Sequence, residues 1–595
     1  MTPLPPPSIP WQLTGNHWLA LPCIHPADAS VHALGLLHRG SRAAVEVAGS
    51  ADFLGGAAPP LLQPMLEMGG RRHELSSVPI AWERAFGWIP TFTCVVGEVV
   101  VRGTVFAPYG RDVDMPGAVY AVTLENRGAS PLDVAVTMRG TWGHRQVRVR
   151  SPRTVTEPSR LSLVAGAAVL MDGSATGDLP AVAIAMEDDA ATDDRITVEG
   201  DRFEWRRPLV VPVGGRVQAV WYLACGPERD GAMAIAATLR RRGWRDLLSA
   251  TRDALRALEQ SSGSDAIDRL INRNLLFAYF YAVGRAMDDA HYYLVRSRAP
   301  WHGAGVTVRD WEALMWTVPA VQLADPHLAR ELILRVCELH GYAPGRGVNY
   351  FDGTLFEPGF SVDGLGAYAL ATERYIRDTG DDRIVDEPAL ADTLYLSAED
   401  LAGRRDKNVP LYSTEVTTAG APSAHPFTVH GNAVVALALD VLRRTLDEET
   451  ATHVEDPEAV RAALRRHFLV DRGGKQAFAS SIDLSGGVAT DDDPGGSALW
   501  LPFYEAVPRE DSTYRRTVKG LGREPHLLVL QCARLLGPES SSVLQWLRRA
   551  PLDGGMAAEM VDGDGRAEGN GGDASLSGLL AWTAWYAVHA LGEKG

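Results

Sequence analysis

The stretch that decides the architecture runs from 217 to 260, VQAVWYLACGPERDGAMAIAATLRRRGWRDLLSATRDALRALEQ. Its first ten residues are mostly β-branched, aromatic or small and read as a strand. From about residue 228 the apolar positions recur at helical spacing instead, which predicts one long connecting helix. A change of period this abrupt divides the chain into two kinds of structure.

Working back from it, RAAVEVAGS, FTCVVGEVVVRGTVFAPY, GAVYAVTLENRG, PLDVAVTMRGTW, LSLVAGAAVLM, AVAIAM and RITVEG repeat a period of two between Gly, Pro and Asn turns. Successive short strands without helical patterns between them predict antiparallel sheets packed as a sandwich. Working forward, about a dozen segments read as helices, which suits a closed ring of hairpins, an (α/α)6 barrel. They include DAIDRLINRNLLFAYFYAVGRAM, PHLARELILRVCELHG, GNAVVALALDVLRRTL and ASLSGLLAWTAWYAVHAL. The expected organisation is an antiparallel β-sandwich over 1–228, a helical linker over 229–264 and an all-α barrel over 265–595. Polar and aromatic residues gather in the long loops between helices, so the pocket belongs at one end of the ring.

Composition narrows the function classes. Lys and Arg number 58 against 74 Asp and Glu, a net charge of −16 in 595 residues. Without a basic block, that balance argues against a nucleic-acid partner or an anionic membrane surface. The five cysteines are scattered, with no CxxC pair, which suits a reducing compartment. MTPLPPPSIPWQLTG carries neither a basic nor an apolar signal region, and no apolar run is long enough to span a bilayer. A cytoplasmic location is the expectation. Phosphate-loop, EF-hand, HExxH and G-x-S-x-G patterns are missing and the 16 histidines are dispersed, so neither metal nor cofactor is expected.

Three loop-to-helix junctions hold the groups that could do chemistry. In SRAPWHGAGVTVRDWEALMW, Arg309 and Asp310 open a helix beside Trp301, Trp311 and Trp316. The two charges could hold each other while offering donors and acceptors to vicinal hydroxyls, or could be a surface pair at a capped helix start. In LFEPGFSVDGLGAYALATERYIRDTGD, Glu357 and Asp363 lie among Phe356, Phe360 and Tyr368. Either Ser361 or Asp363 can cap the helix, and Glu373 with Arg377 forms a helix-face pair. Capping lowers a carboxylate's pKa, whereas a general acid needs it raised. In GGMAAEMVDGDGRAEGNGGD, apolar neighbours predict a partly buried Glu559, while Asp562, Asp564, Glu568 and Asp573 read as solvated turn residues. The run TDDDPGG reads as a turn in the same way.

From about residue 265 onward, these three motifs, in this order, resemble the six-hairpin glycosidases. That family includes glucoamylases and the amylo-α-1,6-glucosidase part of glycogen-debranching enzymes. The bacterial members also carry a leading β-sandwich. The resemblance implies that Arg309 and Asp310 grip the terminal sugar, that Asp363 is the general acid and Glu559 the catalytic base. The implied activity is exo-acting, anomer-inverting hydrolysis of a small glycoside or oligosaccharide. Glu357 is the alternative acid. Trp301, Trp311, Trp316 and Tyr350 are candidates to stack on sugar faces, and Glu415 and Asn432 are further pocket candidates. A phosphorylase on the same scaffold, a polysaccharide lyase and a non-catalytic sugar-binding protein are the competing readings.

Overall fold

The computed structural model describes residues 9–592 apart from 157–159, 165–167, 172–178, 188–194, 492, 520 and 522–525. The first part is antiparallel β-structure in three sheets. In the largest, strand Gly117–Asn126 pairs with Val99–Phe106 on one side and Arg216–Gly226 on the other, with Tyr120 opposite Trp221. In the second, Leu132–Thr141 lies between Arg202–Val211 and Gln63–Met68. Arg202–Val211 shows the half-buried alternation expected of a sandwich strand, with Phe203 and Trp205 inward. The segment LSLVAGAAVLM forms the strands Leu161–Val164 and Ala168–Met171, and residues 165–167 lie outside the described ones.

Three strands of the third sheet are buried on both faces. Every residue of Leu19–Ile24, Val31–His38 and Ala43–Ala48 is buried. One face (Leu19, Leu21, Leu34, Leu36, Val47) belongs to the sandwich core. The other (Ala20, Ala33, Leu37, Ala44, Ala48) joins the core of the helical part. A sheet covered on both faces carries no polar side.

The connector is two helices rather than one. Arg229–Arg242 and Trp244–Leu258 meet at Gly243, whose φ of 76° breaks the helical path. Only glycine adopts that backbone cheaply.

The helical part is a closed double ring. Outer helices Asp265–Tyr281, Pro326–His340, Pro388–Arg404, Pro457–His467, Ser512–Lys519 and Ser540–Leu547 alternate along the chain with inner ones. The inner members are 310–324, Val362–Thr379, Val429–Thr445, the short turn Ala498–Trp500, Leu528–Leu535 and Ala574–His589. Each inner member contacts the next, and Ala574–His589 packs back on 310–324 to close the ring. The first inner helix opens with one α turn, Asp310–Glu312, then a π turn, Ala313–Thr317, then Val318–Ala324. The architecture is therefore an N-terminal antiparallel sandwich followed by an (α/α)6 barrel. No helix among the described residues is long and apolar enough to cross a membrane.

Candidate active site

Because hairpins alternate direction, all inner helices enter the barrel at one end, and their positive dipole ends converge there. Asp310, Asp363, His430 and Asp573 each stand at or beside such an N-terminus. A small antiparallel sheet shapes the approach. Thr307–Val308 pairs with Arg346–Tyr350, which pairs with Leu355–Phe360, so Val348 faces Glu357 across the strands. This sheet delivers Arg309, Gly345, Glu357 and Ser361 to one pocket, whose lining Val416, Thr418 and Gly420 complete.

Asp310 lies in the lining of that pocket and is 4% exposed. The Gly345 N–H donates to its Oδ2 at 2.8 Å, while Oδ1 has no partner. Desolvation pushes its carboxyl up to about 7, against the smaller opposing effects of the Gly345 bond and the Tyr368 hydroxyl beside it. Residue 345 must be glycine. Its φ is 76°, and a Cβ there would come 2.5 Å from the Ser361 carbonyl.

Arg309 and Asp310 do not hold each other. The Arg309 Nη1 donates to the Ala419 carbonyl at 2.5 Å and approaches Glu312 Oε1 at 3.4 Å. Adjacent side chains at a helix start diverge, and these two serve different walls of the pocket. Glu357 shares the lining with Asp310 but stays 48% exposed and is ion-paired with Arg150 of the sandwich at 2.5 Å. Trp311 forms part of the same wall.

Asp363 is buried, yet it neither caps its helix nor lines this pocket. Ser361 caps, its Oγ accepting from the Gly364 N–H at 3.1 Å. That frees the Asp363 carboxylate to take a short hydrogen bond from His430 Nδ1. The His430 ring is wedged between Trp311 and Tyr504, at 5.2 and 5.3 Å, and its Nε2 has no partner. Asp493 stands beside this pair. Burial pushes its carboxyl up, and Thr418, a lining residue of the pocket, donates to it at 3.0 Å.

A third group joins the first and last inner helices. Arg296 forms a two-pronged pair with Asp573, at 2.9 and 2.5 Å, and a second ion pair with Glu312, while its guanidinium covers the Trp316 ring at 4.7 Å. Burial alone would raise the Asp573 carboxyl, but Arg296 and His302 hold it well below the usual carboxylate range. Asp573 also caps the last helix, accepting from Leu576 N–H at 3.0 Å, so it is a buried joint and not a turn residue. Trp301 is buried against Gly572, where a Cβ would come 2.3 Å from its Nε1.

The remaining candidates fall outside the pocket lining. Glu559 is exposed, contrary to the partial burial its neighbours suggest. It lies on the strand Ala558–Val561, where Ala558 and Val561 are buried and a register shift between Ala558 and Met560 leaves Glu559 exposed. Glu568 is likewise exposed on the partner strand, opposite Met560. Glu415 is exposed and paired with Arg404 at 2.9 Å. Tyr350 packs edge-on to Phe356. Asn432 uses its amide on backbone, accepting from Tyr412 N–H and donating to the Tyr412 and Thr428 carbonyls. Glu373 pairs with Arg444 rather than with Arg377. His430 and Arg296 were not singled out from sequence, while Asp573, and Asp493 within TDDDPGG, read there as turn residues. His430 stands two residues before the Asn432 that was, and only its helical position tells the two apart. No group of three or more His, Cys, Asp or Glu among the described residues is placed to hold a metal ion.

No family model and no curated protein matches the sequence. Solved structures match the fold. A putative kojibiose phosphorylase from human microbiome superposes with a TM-score of 0.62 at 10% identity, covering 97% of this chain and 86% of that one. A bacterial glucoamylase complexed with acarbose superposes with a TM-score of 0.61 at 10% identity, covering 100% of this chain and 96% of that one.

Proposed function

We propose that this chain cleaves a glycosidic bond in a small glycoside or oligosaccharide by inverting hydrolysis at the barrel's helix-N-terminal end. The observation that carries the reading is Asp310, a buried carboxyl in the pocket wall, with one unpartnered oxygen and a pKa of about 7. Such a group keeps its proton near neutrality and can give it to a leaving oxygen. Glu357 is the other carboxyl of the lining, open to solvent and paired with Arg150. Two carboxyls in unlike environments divide into acid and base. Asp310 is accordingly the proton donor, and Glu357 activates the water. Inverting pairs stand ~6.5–9.5 Å apart to leave space for it. Trp311 offers an apolar wall for a sugar face.

In this reading, Asp363 is a positioning residue that acts through His430 on Trp311, and Glu559 belongs to the rim. The pocket as it stands has about 40 Å³ of space, room for a few waters. A sugar ring enters when the 416–420 segment lifts, and the Arg309 bond to the Ala419 carbonyl is the latch. Its likeness in fold to a glucoamylase and a phosphorylase makes saccharides the first substrates to try.

The test is a panel of aryl and natural glycosides with the released anomer read by NMR. The expected result is turnover of one class without phosphate, first releasing the inverted anomer, and loss of at least 100-fold in kcat in Asp310→Asn. Glu357→Gln should lose activity and recover it with azide as a small nucleophile. Strict dependence on free phosphate would make the enzyme a phosphorylase. Near-wild-type kcat in Asp310→Asn would end the assignment of the donor.

A further inference from the structure

A second, larger cleft lies where the sandwich meets the flank of the barrel, and none of the groups described above lines it. It is bounded by the turn 84–87, the helix Asp265–Tyr281 and the segment 547–555, and holds about 490 Å³. That is within the range of small-ligand sites. Its charged lining is Arg84, Arg269, Arg273 and Arg548 against Glu259 and Asp268. Asp268 already accepts bonds from the Ser262 N–H and hydroxyl, at 2.6 and 2.5 Å. Among the described residues, none of these four arginines has a carboxylate within ion-pair distance. In a chain of net charge −16, such a cluster is out of keeping with the rest of the surface.

Arg273 makes the cluster more than a solvated patch. It is 6% exposed, and its Nη1 donates to the Gly87 carbonyl at 2.6 Å, while Nε and Nη2 have no partner. Burial pushes its pKa down to about 9 and lowers that of Arg84 too. The acid that acts on it is Asp553, itself half-buried and pushed by desolvation toward its neutral form. A buried guanidinium is costly unless its donors are taken up, as those of Arg298 are by backbone carbonyls, and Arg273 leaves two of its nitrogens without a partner.

We propose that this cleft is a binding site for a phosphate-bearing small molecule, with Arg269, Arg273 and Arg548 converging on the anion. Guanidinium forks match phosphate oxygens in pairs, and several of them suit a dianion better than a single carboxylate. The space exceeds that of a bare phosphate, which favours a phosphorylated sugar-sized ligand.

The experiment is calorimetric titration of the full chain with a hexose 6-phosphate, with inorganic phosphate and with the unphosphorylated hexose. The hexose phosphate should bind, and the free hexose should give no heat at this site. Equal affinity for inorganic phosphate would support a bare-anion site, and weaker affinity would support a phosphomonoester site. Arg269 and Arg548 are exposed, so Arg269→Gln with Arg548→Gln should fold normally and weaken binding at least 10-fold. Arg273→Met should weaken it further. Absence of heat with both phosphates, or unchanged affinity in the double variant, would overturn the proposal. So would binding that disappears in Glu357→Gln but survives in the arginine variants, since the anion would then occupy the barrel pocket.

Discussion

Among single residues, Asp310 has much to lose by ionising, because it is buried in the pocket wall. Its folded-state pKa is raised from 3.8 to about 7. An activity that needs it protonated should therefore fall as pH rises through about 7, and this basic limb should be absent in Asp310→Asn. The sign for stability is the same. Its contribution is fully present below the unfolded pKa and is lost as pH rises through the folded one. Asp310→Asn should therefore gain thermal stability over the parent at pH 8 and gain little at pH 4, on the order of a few kcal/mol at most. Equal stability differences at the two pH values would mean that the carboxyl is not desolvated. Gly345→Ala forces a Cβ against the Ser361 carbonyl from a left-handed backbone. It should cost about 1–3 kcal/mol. It should also move the basic limb to higher pH, because the Gly345 bond to Asp310 favours ionisation.

Among elements, the joint between the first and last inner helices matters most. Arg296 neutralises Glu312 on one and Asp573 on the other, all three nearly out of contact with water. Arg296→Met leaves two buried carboxylates unpaired and should cost about 3–5 kcal/mol, read by denaturant unfolding. The depressed pKa of Asp573 implies stability that is present above its unfolded pKa and lost as pH falls through the folded one. The penalty of Arg296→Met should therefore shrink in strong acid. Asp363 and His430 tie the second inner helix to the third in the same way. Asp363→Asn should chiefly alter KM and the fluorescence of Trp311, while a loss confined to kcat would place Asp363 at the reacting atoms instead.

For the whole molecule, the sheet of Leu19–Ile24, Val31–His38 and Ala43–Ala48 belongs to two cores at once. Arg298 fastens the same junction, its guanidinium donating to the carbonyls of Asn16, His17, Trp18 and Phe280. A chain shortened to the barrel would lay bare the apolar surface that this sheet covers, and should be recovered as aggregate. The intact protein should melt in one calorimetric transition, and Arg298→Met should lower it without splitting it. Two separate transitions would show that the shared sheet does not couple the parts.

The order of strands, then helices, was legible along the chain, because periods of two and of nearly four are local properties of side-chain direction. The segments around Arg309, Glu357 and Asp363 were legible too, since a polar residue at a loop-to-helix junction is visible without neighbours. Hidden from the sequence was which carboxyl faces the pocket and which lies behind its wall. Asp310 and Asp363 both stand in the first turn of an inner helix, and only packing gives one a histidine and buries the other beside Gly345 and Tyr368. Asp573 and Glu559 mark the same limit in opposite directions, an acid among glycines that folding buries and an acid among apolar residues that it exposes. Burial is decided by what arrives from distant parts of the chain, so desolvation and the protonation states it sets belong to the tertiary structure alone.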